Sequence, residues 1–373
     1  VSTYLYPPQR FCRWYLWFFI LPPLISSLSG YLYQSFGDKM DKKVNLLLHS
    51  SNQDSFRGIG VYTRELRKQL EKHPSINLVN SIKKADIIHY PNFHLFNKIK
   101  IKHLRKTIFT IHDLTPLDFP HLFPLGIKSK INWLHNNFNL KKSLHIITDS
   151  IASKNQIIKF TSISQSKITP IYLAPPTSLN LKTTKKLKDT YALYVGDINP
   201  NKNIRKIVIA CLTNNIKLYL AGKSATAKLN KKARKHPELQ DLVWLKKQKK
   251  LHPTKIKLLG FVSNQKLSQL YQSATVCLQP SLSEGFGLPV LEALRLGCPV
   301  ITSKTSSLPE VGGKSCFYVN PTDQEEINKQ LIRVINLSPE RRKKIIKAGK
   351  THAKIFSWEK TAQQTVKLYK SLL

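Results

Sequence analysis

Ser283-Glu-Gly-Phe-Gly-Leu-Pro-Val-Leu-Glu-Ala-Leu-Arg-Leu-Gly297 divides into a loop and a helix on physical grounds. Gly285 and Gly287 let the backbone approach a ligand closely, and Pro289 suits the first helical position, where its missing N–H would be unpaired anyway. Gly297 suits a helix end in left-handed geometry, and Pro299-Val-Ile-Thr302 restarts a strand. The segment reads strand, glycine loop, helix, strand, the unit from which parallel sheets covered by helices are built.

The start of such a helix offers free amides and about half a positive charge, a seat for phosphate. Glu284 lies in the loop and Glu292, eight residues later, falls about one turn into the helix, so two carboxylates flank the seat. Carboxylates beside a phosphate are unfavourable unless they accept hydrogen bonds from neutral hydroxyls. A ligand carrying both phosphate and sugar hydroxyls, a nucleotide sugar, satisfies the whole constellation.

Outward from this segment, short apolar runs alternate with amphipathic stretches, which predicts an α/β fold. In the first half, strands are expected at Val44 to His49, Asp86 to Tyr90, Thr107 to His112, His145 to Thr148 and Ile168 to Leu173. In the second half they are expected at Tyr191 to Val195, Lys217 to Ala221, Lys257 to Leu259, Thr275 to Gln279, Val300 to Thr302 and Cys316 to Val319. The polar, proline-marked stretch 174–188 separates the two sets and reads as a linker. Two doubly wound domains facing across a cleft follow, with ligands expected beyond the carboxyl ends of the strands.

Length agrees: 373 residues is about twice one domain, and 41% hydrophobic content supplies a core for each half. The charge is unusual, since 60 Lys+Arg against 21 Asp+Glu gives +39. Such a field attracts polyanions: nucleic acid, an anionic bilayer or phosphate-bearing substrates. The lysines are dispersed and no basic helix, zinc finger or aromatic RNA-binding motif occurs, so no nucleic-acid partner is expected. Cysteines at 12, 211, 277, 298 and 316 show no CxxC spacing, which argues against a disulfide framework and for a reducing cytosol. No Asp-x-Asp occurs and no His pair has zincin spacing, so neither metal nor cofactor is expected.

Residues 14–37 lack charge and include WYLWFFIL, yet Pro22 and Pro23 make a poor membrane-crossing helix. Met40 is the chain's only methionine and precedes the first strand, so translation is expected to start there, leaving residues 1–39 as an over-extension; the rival is a signal anchor or interfacial segment.

The motif Glu284-Gly-Phe-Gly-Leu-Pro-x-x-Glu292 resembles the signature of family 4 glycosyltransferases of GT-B fold. The likeness runs over nearly all the chain after Met40, through Arg57-Gly-Ile-Gly-Val-Tyr-Thr-Arg-Glu-Leu66, Thr110-Ile-His-Asp113, Thr148-Asp-Ser150, Tyr194-Val-Gly-Asp197, Gly260-Phe-Val262 and Phe356-Ser-Trp-Glu359. It implies two Rossmann-like domains over 40–176 and 177–355, the first for acceptor and the second for donor, and a terminal helix over 356–373 crossing back to the first.

The resemblance also implies roles. Glu284 would contact the donor sugar and Glu292 the ribose hydroxyls, while amides of Gly285, Phe286, Gly287 and Leu288 touch sugar or diphosphate. Lys202, after the strand ending near Gly196, would neutralise the diphosphate. Family members commonly add an arginine here; this chain has Asp197 and Asn201 instead, with Arg205 as a candidate substitute. Gly58 and Gly60 would border the donor phosphates and the acceptor. His112 would bond a hydroxyl of the transferring sugar, with Asp113 orienting it or capping the next turn, and Ser150 reads equally as a helix N-cap. Gly260, Phe261 and Val262 would hold the nucleobase, Leu267 would cover ribose or base, Glu310 would support a loop, and Trp358 would anchor the terminal helix.

The activity implied is retaining transfer of a hexosyl group, mannosyl in particular, from a GDP- or UDP-linked sugar to a glycan or lipid-linked acceptor. The expected location is the cytoplasm, with the positive charge drawing the chain to the anionic inner face of a membrane. Among rivals, a GT-B epimerase or phosphorylase shares the fold. A nicotinamide-dependent enzyme is disfavoured because Gly58-Ile-Gly60 lacks the third glycine, position 63 being Thr, and no acid stands at the ribose-gripping distance.

Overall fold

The computed structural model describes residues 43–49, 58–93, 96–98, 101–179, 187 and 189–373. In the first half, β1 (Val44–Leu48), α1 (Gly58–Leu70), β2 (Ile76–Leu78), β3 (Ile87–Tyr90), β4 (Thr107–Ile111), α2 (Thr115–Asp118), α3 (Ile127–Lys142), β5 (His145–Thr148), α4 (Ile151–Thr161) and β6 (Ile168–Pro170) follow in order. The strands form one sheet, β2-β1-β3-β4-β5-β6, with every pairing parallel. Every residue of β4 and β5 is buried, as expected of strands covered by helices on both faces.

The second half runs β7 (Tyr191–Val195), α5 (Ile204–Thr213), β8 (Lys217–Ala221), α6 (Gln240–Leu251), β9 (Ile256–Gly260), α7 (Asn264–Ser273), β10 (Val276–Gln279), α8 (Leu288–Leu296), β11 (Val300–Ser303), α9 (Leu308–Gly312), β12 (Phe317–Val319), α10 (Gln324–Ile335), α11 (Pro339–Ala353) and α12 (Trp358–Ser371). Its sheet, β12-β11-β10-β7-β8-β9, is also parallel throughout. The α/β expectation of two parallel sheets holds.

Strand β2 is missing from the sequence reading. It is three residues long, with only Ile76 buried, so it carries neither the length nor the apolar run of its neighbours. At the other edge, β6 ends at Pro170 rather than Leu173, because proline gives the ladder no amide hydrogen. The expectations for residues 1–39 lie outside the described residues, as do 180–186 and 188 of the expected linker. The described linker residues are held in place. Thr177 gives both its amide and its hydroxyl to Glu65 of α1, at 3.0 and 2.9 Å, and the Trp358 indole donates to the Pro175 carbonyl at 3.1 Å.

Helix α12 packs on α1, with the Trp358 and Tyr62 rings 6.3 Å apart, and the Tyr369 hydroxyl meets His89 Nδ1 of β3 at 2.6 Å. Among the described residues, no helix is long and apolar enough to cross a membrane. Cys211, Cys277, Cys298 and Cys316 are free thiols.

Parallel pairing puts all strand carboxyl ends of a sheet on one edge. In the second sheet the chain winds outward through β8 and β9, returns to the other side of β7 with β10, and then winds outward again. The crevice between β7 and β10 is therefore the place where a doubly wound sheet accepts a ligand.

Candidate functional site

Two loops meet at that crevice. After β7 comes a short turn, Pro200–Lys202, and after β10 comes the run Pro280 to Gly287. Asn201 stitches them together: its side chain donates to the Ser283 carbonyl, and its own carbonyl accepts from Leu282 N, both at 2.8 Å. This brings the Lys202 ammonium to 2.5 Å from Glu284 Oε2, with the two side chains 20% and 12% exposed. The pair is reachable from solvent, yet shielded enough for its charges to matter.

Hydroxyls fix the rest of the loop. Ser281 donates to Glu284 Oε1 at 2.8 Å, so both carboxylate oxygens are engaged. Ser306 accepts from the Glu284 amide at 3.0 Å, and Ser307 donates to the carbonyls of Glu284 and Phe286 at 2.9 and 2.8 Å. Ser306 is itself held in the left-handed region, φ 51°, a strained conformation for serine that the surrounding bonds maintain. These hydroxyls escaped the sequence reading. The signal that marks them is position, since Ser281 and Ser283 follow β10 and Thr305, Ser306 and Ser307 follow β11.

Helix α8 begins at Leu288 with Gly287 as N-cap, φ 103°, and Pro289 occupies its second position rather than its first. Pro289 brings no N–H, and the amides of Val290 and Leu291 bond the Gly287 carbonyl at 3.0 and 3.4 Å, so in the first turn it is the Leu288 amide, four residues along from Glu284, that has no intrahelical acceptor. The helix ends as read: Cys298 N bonds Ala293 O at 2.8 Å and Gly297 N bonds Leu294 O at 3.2 Å, with Gly297 left-handed.

Glu292 is buried within α8 and takes a hydrogen bond from the Tyr271 hydroxyl of α7 at 2.9 Å. Burial pushes its carboxyl up to about 7, with the Tyr271 bond pulling the other way. Tyr271 is a further residue missed in the sequence, where an aromatic on an amphipathic helix reads as core.

The other wall comes from the first sheet. A Cβ on Gly285 would lie 2.3 Å from the carbonyl oxygen of His112, so only glycine fits there. Ser150 and Ser153 donate to the Gly285 carbonyl at 2.7 and 3.0 Å, and Thr115 Oγ1 lies 3.3 Å from Ser283 Oγ. Gly58 opens α1 facing Leu288, whose Cδ1 stands 3.8 Å from where a Cβ would be, and Gly60 is buried one step further along. The glycine loop is thus seated between both sheets.

His112 has both ring nitrogens occupied, Nδ1 by Asp149 Oδ2 at 2.6 Å and Nε2 by the Pro91 carbonyl at 3.1 Å. A carbonyl only accepts, so Nε2 carries a proton. Burial alone would lower this pKa, but the Asp149 charge and hydrogen bond outweigh it, and the imidazole is raised above its usual value. Burial in turn raises Asp149, with His112 opposing. For His112 to bond a sugar hydroxyl, as the resemblance implies, the Pro91 carbonyl must give way. Asp113 caps the following turn, taking the Thr115 amide at 2.9 Å, and Ser150 is the N-cap of α4.

Other expected residues take different positions. Arg205 is no substitute for the family arginine: its guanidinium binds Asp241 at 2.7 Å, 5.6 Å from the Trp244 ring centre, half exposed. Gly196 follows β7, φ 143°, with its amide on the Ala221 carbonyl at 2.9 Å, and Gly260 ends β9, giving its carbonyl to Gly222 N at 2.9 Å. Phe261 is exposed, and Val262 and Leu267 pack against the main core from its margin. Phe286 is buried between Tyr172 and Phe356, both 6.0 Å away, so only its backbone is available to a ligand. Glu310 does more than support its own loop. It reaches the first sheet's layer, accepting from Ile151 N and Ala152 N of α4, both at 2.8 Å, and from the Tyr172 hydroxyl at 3.0 Å.

A family model described as glycosyl transferases group 1 matches residues 179–352. O-antigen chain mannosyltransferase B of Escherichia coli is 30% identical over 305 residues, covering 77% of this chain and 74% of that protein. O-antigen chain mannosyltransferase RfbU of Salmonella typhimurium is 30% identical over 230 residues, with 60% and 59% covered. Among solved structures, sucrose-phosphate synthase from Thermosynechococcus elongatus superposes with a TM-score of 0.66 at 16% identity, over 88% of this chain and 99% of that one. Anabaena HepE in complex with UDP and glucose gives 0.64 at 16% identity, over 88% and 100%. These structures share the GT-B fold of two parallel sheets.

Proposed function

Because the chain belongs to the group 1 glycosyltransferases, we propose that it transfers a mannosyl group, with retention of configuration, from a nucleotide diphosphate sugar to a glycan or lipid-linked acceptor. The observation that carries this reading is the Lys202–Glu284 pair at the β7/β10 crevice, beside the amino end of α8. The relatives named mannosyltransferases support the sugar, and the HepE complex with UDP and glucose supports a nucleotide and sugar on this fold.

In this reading the donor diphosphate takes the Lys202 ammonium from Glu284 and sits against the Leu288 amide at the amino end of α8, which together stabilise the departing nucleoside diphosphate. Glu284, relieved of its lysine, turns to hydroxyls of the donor sugar. Glu292 receives the ribose hydroxyls. The acceptor oxygen attacks on the face the leaving group departs from, forming the new glycosidic bond as the sugar–phosphate bond breaks, and the leaving phosphate takes the acceptor proton. No protein nucleophile and no metal is called on. The net charge of +39 favours work at an anionic membrane face.

Nucleoside diphosphate release, measured across GDP-mannose, UDP-glucose and other nucleotide sugars with and without a mannan acceptor, tests the proposal. Acceptor-dependent release from GDP-mannose is expected. Release from another donor only would refute the mannosyl assignment, and no release from any donor would refute sugar transfer at this site.

A further inference from the structure

Helix α3 turns its faces the wrong way round for an ordinary surface helix. Ile127, Ile131, Leu134 and Phe138 are 80%, 60%, 67% and 55% exposed. At about 100° per residue they fall within an arc of about 60°, a single outward stripe. The inward face is rich in asparagine instead. Asn132 and Asn136 donate to the carbonyls of Phe96 and Asn97 at 2.7 and 2.8 Å, and Trp133 and Leu140 supply the contact with the core of the first sheet. A soluble helix normally buries its apolar stripe; this one turns Asn132 and Asn136 inward onto backbone carbonyls, buries Asn137 Oδ1 without a partner, and leaves the apolar stripe uncovered among the described residues.

Charge identifies the occupant. Lys130 and Lys141 flank the stripe on one side and Lys128 and Lys142 on the other, all exposed, with the Lys142 ammonium 4.0 Å from the centre of the Phe138 ring. Between Asp118 and Asp149 the sequence holds no acidic residue. Two copies of the chain meeting through this stripe would press these lysines together, whereas an anionic lipid surface takes both features at once: apolar side chains into the acyl boundary, ammonium groups among the phosphates. By the order of elements, α3 starts at the edge of the first sheet where β4 delivers His112, so a bilayer under α3 would lie beside the cleft.

We propose that the outward face of α3 is a docking surface for anionic phospholipid bilayers. This deepens the peripheral location proposed above by naming the surface, and it is independent of which sugar is transferred.

Co-sedimentation of the full chain with vesicles of phosphatidylglycerol and phosphatidylcholine, against phosphatidylcholine alone, tests it. Wild type is expected to bind the anionic vesicles and to weaken as salt is raised. The Ile131→Glu/Leu134→Glu double variant is expected to bind about tenfold more weakly or worse, with unchanged thermal unfolding and unchanged release of nucleoside diphosphate in solution. Lys141→Gln/Lys142→Gln is expected to lose part of the salt-sensitive binding. If wild type ignores anionic vesicles, the membrane reading fails altogether. If wild type binds but the Glu variant binds equally well, only α3 is excluded. A variant that changes oligomeric state and not vesicle binding would make the stripe an interface between copies and overturn the proposal.

Discussion

Lys202 and Glu284 neutralise each other at 2.5 Å, and a donor diphosphate competes with the carboxylate for the same ammonium. Opposite effects on binding and turnover follow. Glu284→Gln is expected to bind nucleoside diphosphate alone more tightly than wild type, because a competing negative charge is gone, yet to lower turnover by about 100-fold or more. Lys202→Ala is expected to lose both. Calorimetric titration with GDP and UDP alongside a steady-state assay checks the pair, and parallel losses in the two variants would contradict the exchange of partners. Glu292 gives a second test at this scale. Burial raises its carboxyl to about 7 from an ordinary 4.5. The sign is that of a raised acid: its contribution to folding is full below the ordinary value and is lost as pH rises through 7. Ribose hydroxyls donate to the ionised form, so nucleotide affinity is expected to rise as pH passes upward through 7, and Glu292→Gln is expected to flatten both profiles.

At the scale of elements, the glycine loop and helix α8 were legible because their requirements are local. Gly297 at the helix end is demanded by backbone geometry within a few residues of it. The serine clamp was not legible, since Ser306 and Ser307 meet Glu284 only because β11 lies beside β10. The same applies to Glu310, whose carboxylate caps α4 of the other sheet's layer while Ser150 and Ser153 at that helix start hold the Gly285 carbonyl. Glu310→Ala leaves those amides without their charged acceptor, and a loss of about 1–2 kcal/mol is expected in urea unfolding. An unchanged midpoint would show that the carboxylate does not hold α4. Arg205 shows the converse error: it is near Lys202 in sequence, but the turn of α5 directs it to Asp241.

For the whole molecule, α12 ties the chain's end to the first sheet. Trp358 is 2% exposed, touches Tyr62 and donates to the Pro175 carbonyl, and Tyr369 meets His89. Trp358→Ala is expected to cost about 3–5 kcal/mol in chemical unfolding, the range for deleting a large buried aromatic side chain. A surface residue's loss of a few tenths would contradict its anchoring role.

The α/β class, the two sets of strands and the glycine loop with its two glutamates were determined by the sequence alone, because strand runs, helix periods and turn residues act over short stretches of chain. Tertiary structure alone decided three things: that Lys202 and Glu284 meet, that His112 is held by Asp149 and Pro91, and that α3 points its isoleucines outward. Helical periodicity creates two faces, and either can turn inward once its groups are satisfied. For α3, asparagine side chains bonding backbone carbonyls of a neighbouring loop made that choice, and those carbonyls reach it only through the fold.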